Sequence, residues 1–127
     1  MNQTYNNTPE DNKQEITRAL IIKKPWLDLI LSGEKTWEIR GSNTKIRGRI
    51  GLIESGSGLI VGECDLYGSE TLTLYQDVFY SLHKIPKFNQ NVKYKVPHAW
   101  KIENATRYEK PIPYDHPKGA VIWVKLK

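Results

Sequence analysis

Lys35, Glu38 and Arg40 lie within the eight-residue run Gly33-Glu34-Lys35-Thr36-Trp37-Glu38-Ile39-Arg40. From Thr36 onward the run alternates, so Trp37 and Ile39 fall on one face of a strand and Glu38 and Arg40 on the other. Lys35 stands at the strand's entrance, and two cations therefore converge with one carboxylate. Two chemistries suit such a set. In the first, the cations hold phosphate or the polar edge of a base, and no bond is broken. In the second, Glu38 acts as a general base on water, Lys35 stabilises the developing oxyanion and Arg40 fixes the substrate or the carboxylate. Spacing alone favours a solvated strand face, its Glu–Arg pair contributing about 0.5 kcal/mol.

Further candidates lie outside this run. Lys84, Lys87, Lys93, Lys95 and Lys101 form a basic stretch interleaved with Phe88, Tyr94 and Trp100, which mixes phosphate-binding charge with stacking surface. His98 and Trp100 are two apart, hence on one strand face, and could present an imidazole and a ring to a planar ligand. Arg47 and Arg49 extend the basic character of residues 16–49, where eight basic side chains face Asp28, Glu34 and Glu38. His83 and His116 have no partner at metal-ligand spacing, so neither a metal nor a cofactor is expected. No Ser-His-Asp or Cys-His pattern and no phosphate-binding glycine loop occurs, and the single cysteine, Cys64, reads as a strand or core residue. Covalent catalysis is not expected.

The elements that must position these residues follow from periodicity. Ala19-Leu20-Ile21-Ile22 predicts a buried strand, and Pro25 with Trp26, Leu27, Ile30 and Leu31 predicts a short helix over 25–32, stopped by Ser32-Gly33. Residues 36–40, 48–53, 59–66, 99–105 and 120–126 read as strands, the last so apolar that both its faces should be covered. Ser55-Gly56-Ser57-Gly58 predicts a hairpin turn. Apolar residues at helical spacing predict one helix over 71–82, and the Pro-, Asn- and Lys-rich residues 83–97 predict an exposed loop. Trp26 and Trp123 read as core, and Trp37 should face the core opposite Glu38.

A chain of 127 residues that is 39% apolar supports one domain. Residues 1–15 are polar and set three carboxylates against one lysine, so they read as a disordered lead-in to a domain over 16–127. The whole chain carries +5 and residues 1–15 carry −2, so the domain itself holds +7, which suits an anionic partner. With no secretory pattern and no apolar run near the ~20 residues that span a bilayer, a cytoplasmic protein without membrane contact is expected. Many short strands with few helices suggest an α+β barrel. Oligomeric state is left open.

The segment from Ala19 to Arg40, with Pro25-Trp26, Leu31 and then G-x-K-x-x-E-x-R, resembles the signature of the ASCH family. The likeness continues through Arg47-Gly48-Arg49-Ile50 and through Ile60-Val61-Gly62-Glu63-Cys64-Asp65-Leu66, covering roughly residues 18–126. It implies a PUA-like β-barrel flanked by short helices, with a cleft near Lys35, Glu38 and Arg40 as a site for RNA, a nucleoside or a modified base. Some ASCH proteins are amidohydrolases that remove acyl groups from cytidine, and others are ribonucleases. The resemblance thus permits a metal-independent hydrolase, with Lys35 and Glu38 catalytic, beside a binding module built from Lys35, Glu38, Arg40, Arg47, Arg49, Lys93, Lys95, His98 and Trp100. It selects neither. One amidohydrolase branch carries threonine where this chain has Glu38, so a threonine-assisted mechanism does not transfer.

Overall fold

Strand β1 (Arg18–Ile22) takes the first β-branched run; strands pair along both of its edges, and both of its faces are covered, Leu20 and Ile22 packing in one apolar cluster and Ala19 and Ile21 in another. It pairs in parallel with β3 (Gly48–Glu54), registering Ala19 on Gly51 and Ile22 on Glu54. On its other side it pairs antiparallel with β6 (Trp123–Lys125). A parallel pair needs a crossover, and here helix α1 (Trp26–Leu31) and strand β2 (Trp37–Arg40) fill the connection. The computed structural model describes residues 15–73 and 76–126. The lead-in expected over 1–15 thus lies, except for Glu15, outside the described residues.

Beyond β3, the turn at Ser55–Gly58 returns the chain as β4 (Leu59–Thr71), and β4 pairs antiparallel with β5 (His98–Pro113). Strand β2 adds to the far side of β5, giving a six-stranded mixed sheet in the order β2-β5-β4-β3-β1-β6. The hydrogen-bonded ladder does not close: β2 and β6 remain edges, so the sheet is open where a barrel was expected. Leu27, Ile30 and Leu31 of α1 pack with Leu20, Leu52, Val61 and Ile102 into the main core. The helix sits close to the sheet because Gly62 leaves room, since a Cβ there would fall on the Thr106 carbonyl oxygen and 2.5 Å from Leu31 Cδ2.

Three elements differ from their sequence reading. No single helix spans 71–82: Thr71 ends β4, Leu72 is buried with its N–H donating to the Pro97 carbonyl, and the chain re-emerges as a 3₁₀ turn (Gln76–Phe79) leading into α2 (Tyr80–His83). The apolar spacing misled because Val78 and Phe79 face solvent. Residues 83–97 are no simple exposed loop, since His83, Ile85 and Phe88 are buried there and Phe88 opens helix α3 (Phe88–Asn91). Ile85 and Phe88, together with Trp37, Ile39, Leu72 and Ala99, form a second core cluster over β2, so Trp37 does face apolar packing. Finally, the last strand is only three residues long, and Val121 and Ile122, expected to be covered, are 76% and 42% exposed.

Candidate functional site

Gly33, at φ 87°, ends the α1 segment in the left-handed conformation that glycine adopts without steric cost. The chain then turns so that Lys35 N–H donates to the Leu29 carbonyl, which aims the lysine side chain inward. Lys35 is 1% exposed. Its ammonium donates to the His83 carbonyl at 2.6 Å, lies 3.9 Å from Glu38 Oε1 and sits 5.2 Å from the centre of the Trp26 ring. Burial pulls its pKa down to about 8, opposed by the Glu38 charge and assisted by that of Arg40.

Strand β2 pairs with β5 so that Glu38 registers on Trp100 and Arg40 on His98. Residues directly opposite share a face, which brings the tryptophan beside the charges. Arg40 Nε donates to Glu38 Oε2 at 2.9 Å, Arg40 Nη2 donates to the Ile21 carbonyl at 2.8 Å, and the guanidinium carbon lies 5.5 Å from the centre of the Trp100 ring. Trp100 is itself fixed, with Nε1–H donating to the Ser42 carbonyl at 2.7 Å and its ring stacked on Trp123 at 5.8 Å and 14°. The open gap between the β2 and β6 sides of the sheet is therefore spanned by side chains.

A cleft of about 730 Å³ lies at this gap. Lys35, Glu38 and Arg40 line it together with Trp26, Trp100, Tyr94, Ile85 and Ile122, while the exposed Lys23 and Lys93 also border it. Tyr94 lies against Gly41, where a Cβ would stand 2.8 Å from the ring. Such a volume, with mostly apolar walls and a few convergent polar groups, suits a small planar ligand.

The family model of the ASCH domain matches residues 20–112. The chain belongs to the ASCH family. Its fold is similar to the crystal structure of ASCH from Zymomonas mobilis, with a TM-score of 0.64 at 12% identity over 87% of each chain. Two mutants of that protein match alike, one at a TM-score of 0.62 and 13% identity over 87% of each chain. The other reaches 0.64 at 13% identity, over 87% of this chain and 89% of its own. A comparison with curated proteins finds no match.

Within this ASCH domain the residues singled out from sequence separate into groups. Lys35, Glu38, Arg40, Lys93 and Trp100 share the cleft. His98 neighbours Arg40 in register but is not among the cleft-lining residues, and its buried Nδ1 has no hydrogen-bond partner among the described residues. Lys95 is exposed outside the lining. Arg47 and Arg49 do not join the cleft: Arg47 is exposed and donates to the Thr44 and Ile46 carbonyls, whereas Arg49 is held by Glu63 at 2.7 Å, Asp65 at 3.2 Å and the Asn104 carbonyl. Two acids across β4 thus absorb the charge that made Arg49 a phosphate candidate. Trp26, read as core, is half-buried and lines the cleft, and Lys23, Ser42 and Ile122 join it without any strong sequence signal. Trp26 stands near the signature's lysine only after the Gly33 turn folds the chain back, a juxtaposition that periodicity does not encode.

Cys64 is buried, and burial pushes its thiol up to about 12, which removes it as a nucleophile at neutral pH. Among the described residues, no three His, Cys, Asp or Glu side chains are grouped to hold a metal, and no helix is long and apolar enough to cross a membrane.

Proposed function

We propose that this ASCH domain binds RNA by taking one unpaired nucleotide, or a free nucleoside, into the cleft. The family is linked to RNA binding. The observation that carries the reading is a cation–carboxylate–cation set, with Lys35 and Glu38 buried and Arg40 half-buried, inside an aromatic-walled cleft bordered by exposed lysines. Trp26, Trp100 and Tyr94 offer ring faces or edges to a base, which every base can use. Glu38 supplies an acceptor and Lys35 and Arg40 supply donors, the pairing that a base edge with both N–H and C=O groups requires. Lys23 and Lys93 are placed to meet phosphate.

A second reading rests on one observation. A lysine whose pKa falls to about 8 inside a cleft is a group tuned for proton transfer or oxyanion stabilisation, which favours a metal-independent hydrolase acting on acylated cytidine or on RNA. Glu38→Gln separates the two, because it keeps size and hydrogen bonding but removes basicity. If Glu38 is a general base, hydrolysis of acylated cytidine falls by about two orders of magnitude while affinity stays within a few fold. If the cleft only binds, wild type releases no acid and the substitution alters affinity alone. Absence of both turnover and binding across a nucleoside and single-stranded RNA panel removes the cleft as the site.

A further inference from the structure

The basic stretch that follows α2 is not used up by the cleft. Two of its lysines, Lys84 at φ 61° and Lys87 at φ 49°, occupy the left-handed region that glycine and asparagine favour. Both positions are turn points: Lys84 ends α2, its N–H donating to the Tyr80 carbonyl, and Lys87 precedes α3. Glycine would satisfy the backbone at either place with less strain. Sparsely populated backbone of this kind clusters at ligand clamps and other functional positions, which directs attention to what the two side chains meet.

The surroundings indicate that use. Phe79 and Tyr80, adjacent in the chain, are 41% and 46% exposed, more than core packing needs. The Lys84 ammonium lies 5.6 Å from the centre of the Tyr80 ring, and Phe79 lies 5.5 Å from Trp37. From Tyr80 to Pro97 the sequence holds no acidic residue. The same segment runs on to Asn91, Val92, Lys93 and Tyr94, which line the cleft.

We propose that Phe79, Tyr80, Lys84 and Lys87 form a second contact surface for single-stranded nucleic acid. It takes the nucleotides that flank the one held in the cleft, with bases on the rings and phosphates on the lysines. Exposed rings beside lysines that form no ion pair among the described residues suit a polyanion with planar units better than they suit an acidic protein, which offers charge without stacking. This rests on the cleft being an RNA site, and the two can fail separately.

The test compares uridine monophosphate with an oligouridylate of about ten nucleotides. The variant is Lys84→Gly/Lys87→Gly, which relieves the strained backbone and so should keep its melting temperature. Lys84→Asn/Lys87→Asn serves if glycine unsettles the turn. Affinity for the oligomer should fall about tenfold or more, and its log–log salt slope should become shallower by about 1.4, the share of two phosphate contacts. Affinity for the mononucleotide should not change. Loss for the oligomer when wild type binds no mononucleotide would sink the cleft reading and keep this surface. Oligomer affinity and salt slope equal to wild type, or equal loss for both ligands, would overturn it.

Discussion

Lys35 is the costliest residue in the cleft. Its ammonium is removed from water and compensated by one carbonyl, a carboxylate oxygen 3.9 Å away and the face of Trp26. A fall from 10.5 to about 8 corresponds to about 3 kcal/mol of preference for the neutral amine in the folded state. Below about pH 8 the folded and unfolded chains both hold the proton, and the cost of burying the charge is carried in full. Between about 8 and 10.5 the unfolded chain keeps the proton while the folded chain releases it, so this residue's contribution to stability rises with pH. Urea unfolding of wild type and Lys35→Met at about pH 7 and about pH 10.5 should therefore show the difference moving in favour of wild type, by up to about 3 kcal/mol. A pH-independent difference would mean that Lys35 titrates as an ordinary lysine. The charge pattern of Lys35, Glu38 and Arg40 was legible in the sequence, but this burial was not. It depends on the His83 carbonyl, 48 residues away.

At the level of elements, the close seat of α1 on β4 and β5 depends on Gly62. Its missing side chain leaves room for Leu31 and for the Thr106 carbonyl, and the latter belongs to backbone that cannot swing aside as a flexible side chain would. Gly62→Ala should therefore lower stability by about 2–3 kcal/mol, measured as a fall in the melting temperature. Gly56→Ala, where no atom lies within 4 Å of the added carbon, isolates the cost of a left-handed glycine without crowding. An unchanged melting temperature for Gly62→Ala would show that packing at Gly62 is loose. The helix at 25–32 and the strands near 19–22, 36–40 and 48–53 were readable because local periodicity and burial agree there. The far halves of β4 and β5 were not, because residues such as Glu70, Arg107 and Lys110 lie on an exposed ladder where pairing with a neighbouring strand, rather than alternation, makes the structure. Val78 and Phe79 misled in the opposite way, being apolar residues that the fold leaves in solvent.

For the whole molecule, the open sheet ties its architecture to its cleft. Strands β2 and β6 do not pair, and Arg40 crosses the gap with one nitrogen on Glu38 of its own strand and another on the Ile21 carbonyl of β1. Stacked Trp100 and Trp123 bridge the same gap. Arg40 thus closes the structure and lines the site at once, and only a planar fork of donors can serve both acceptors. Arg40→Lys keeps the charge but offers a single nitrogen, which separates electrostatics from geometry. Amides near the junction of β1 and β6, such as Ile21 N–H on the Ile122 carbonyl, should exchange faster with solvent by about tenfold, while amides in the β3–β4 hairpin keep wild-type protection. Affinity for single-stranded RNA should fall by about tenfold, because one bond to a charged partner is worth about 1.5 kcal/mol or more. Its salt slope should stay the same, since no cation is lost. Unchanged exchange with reduced affinity would confine Arg40 to ligand contact, whereas faster exchange with unchanged affinity would make it a brace alone.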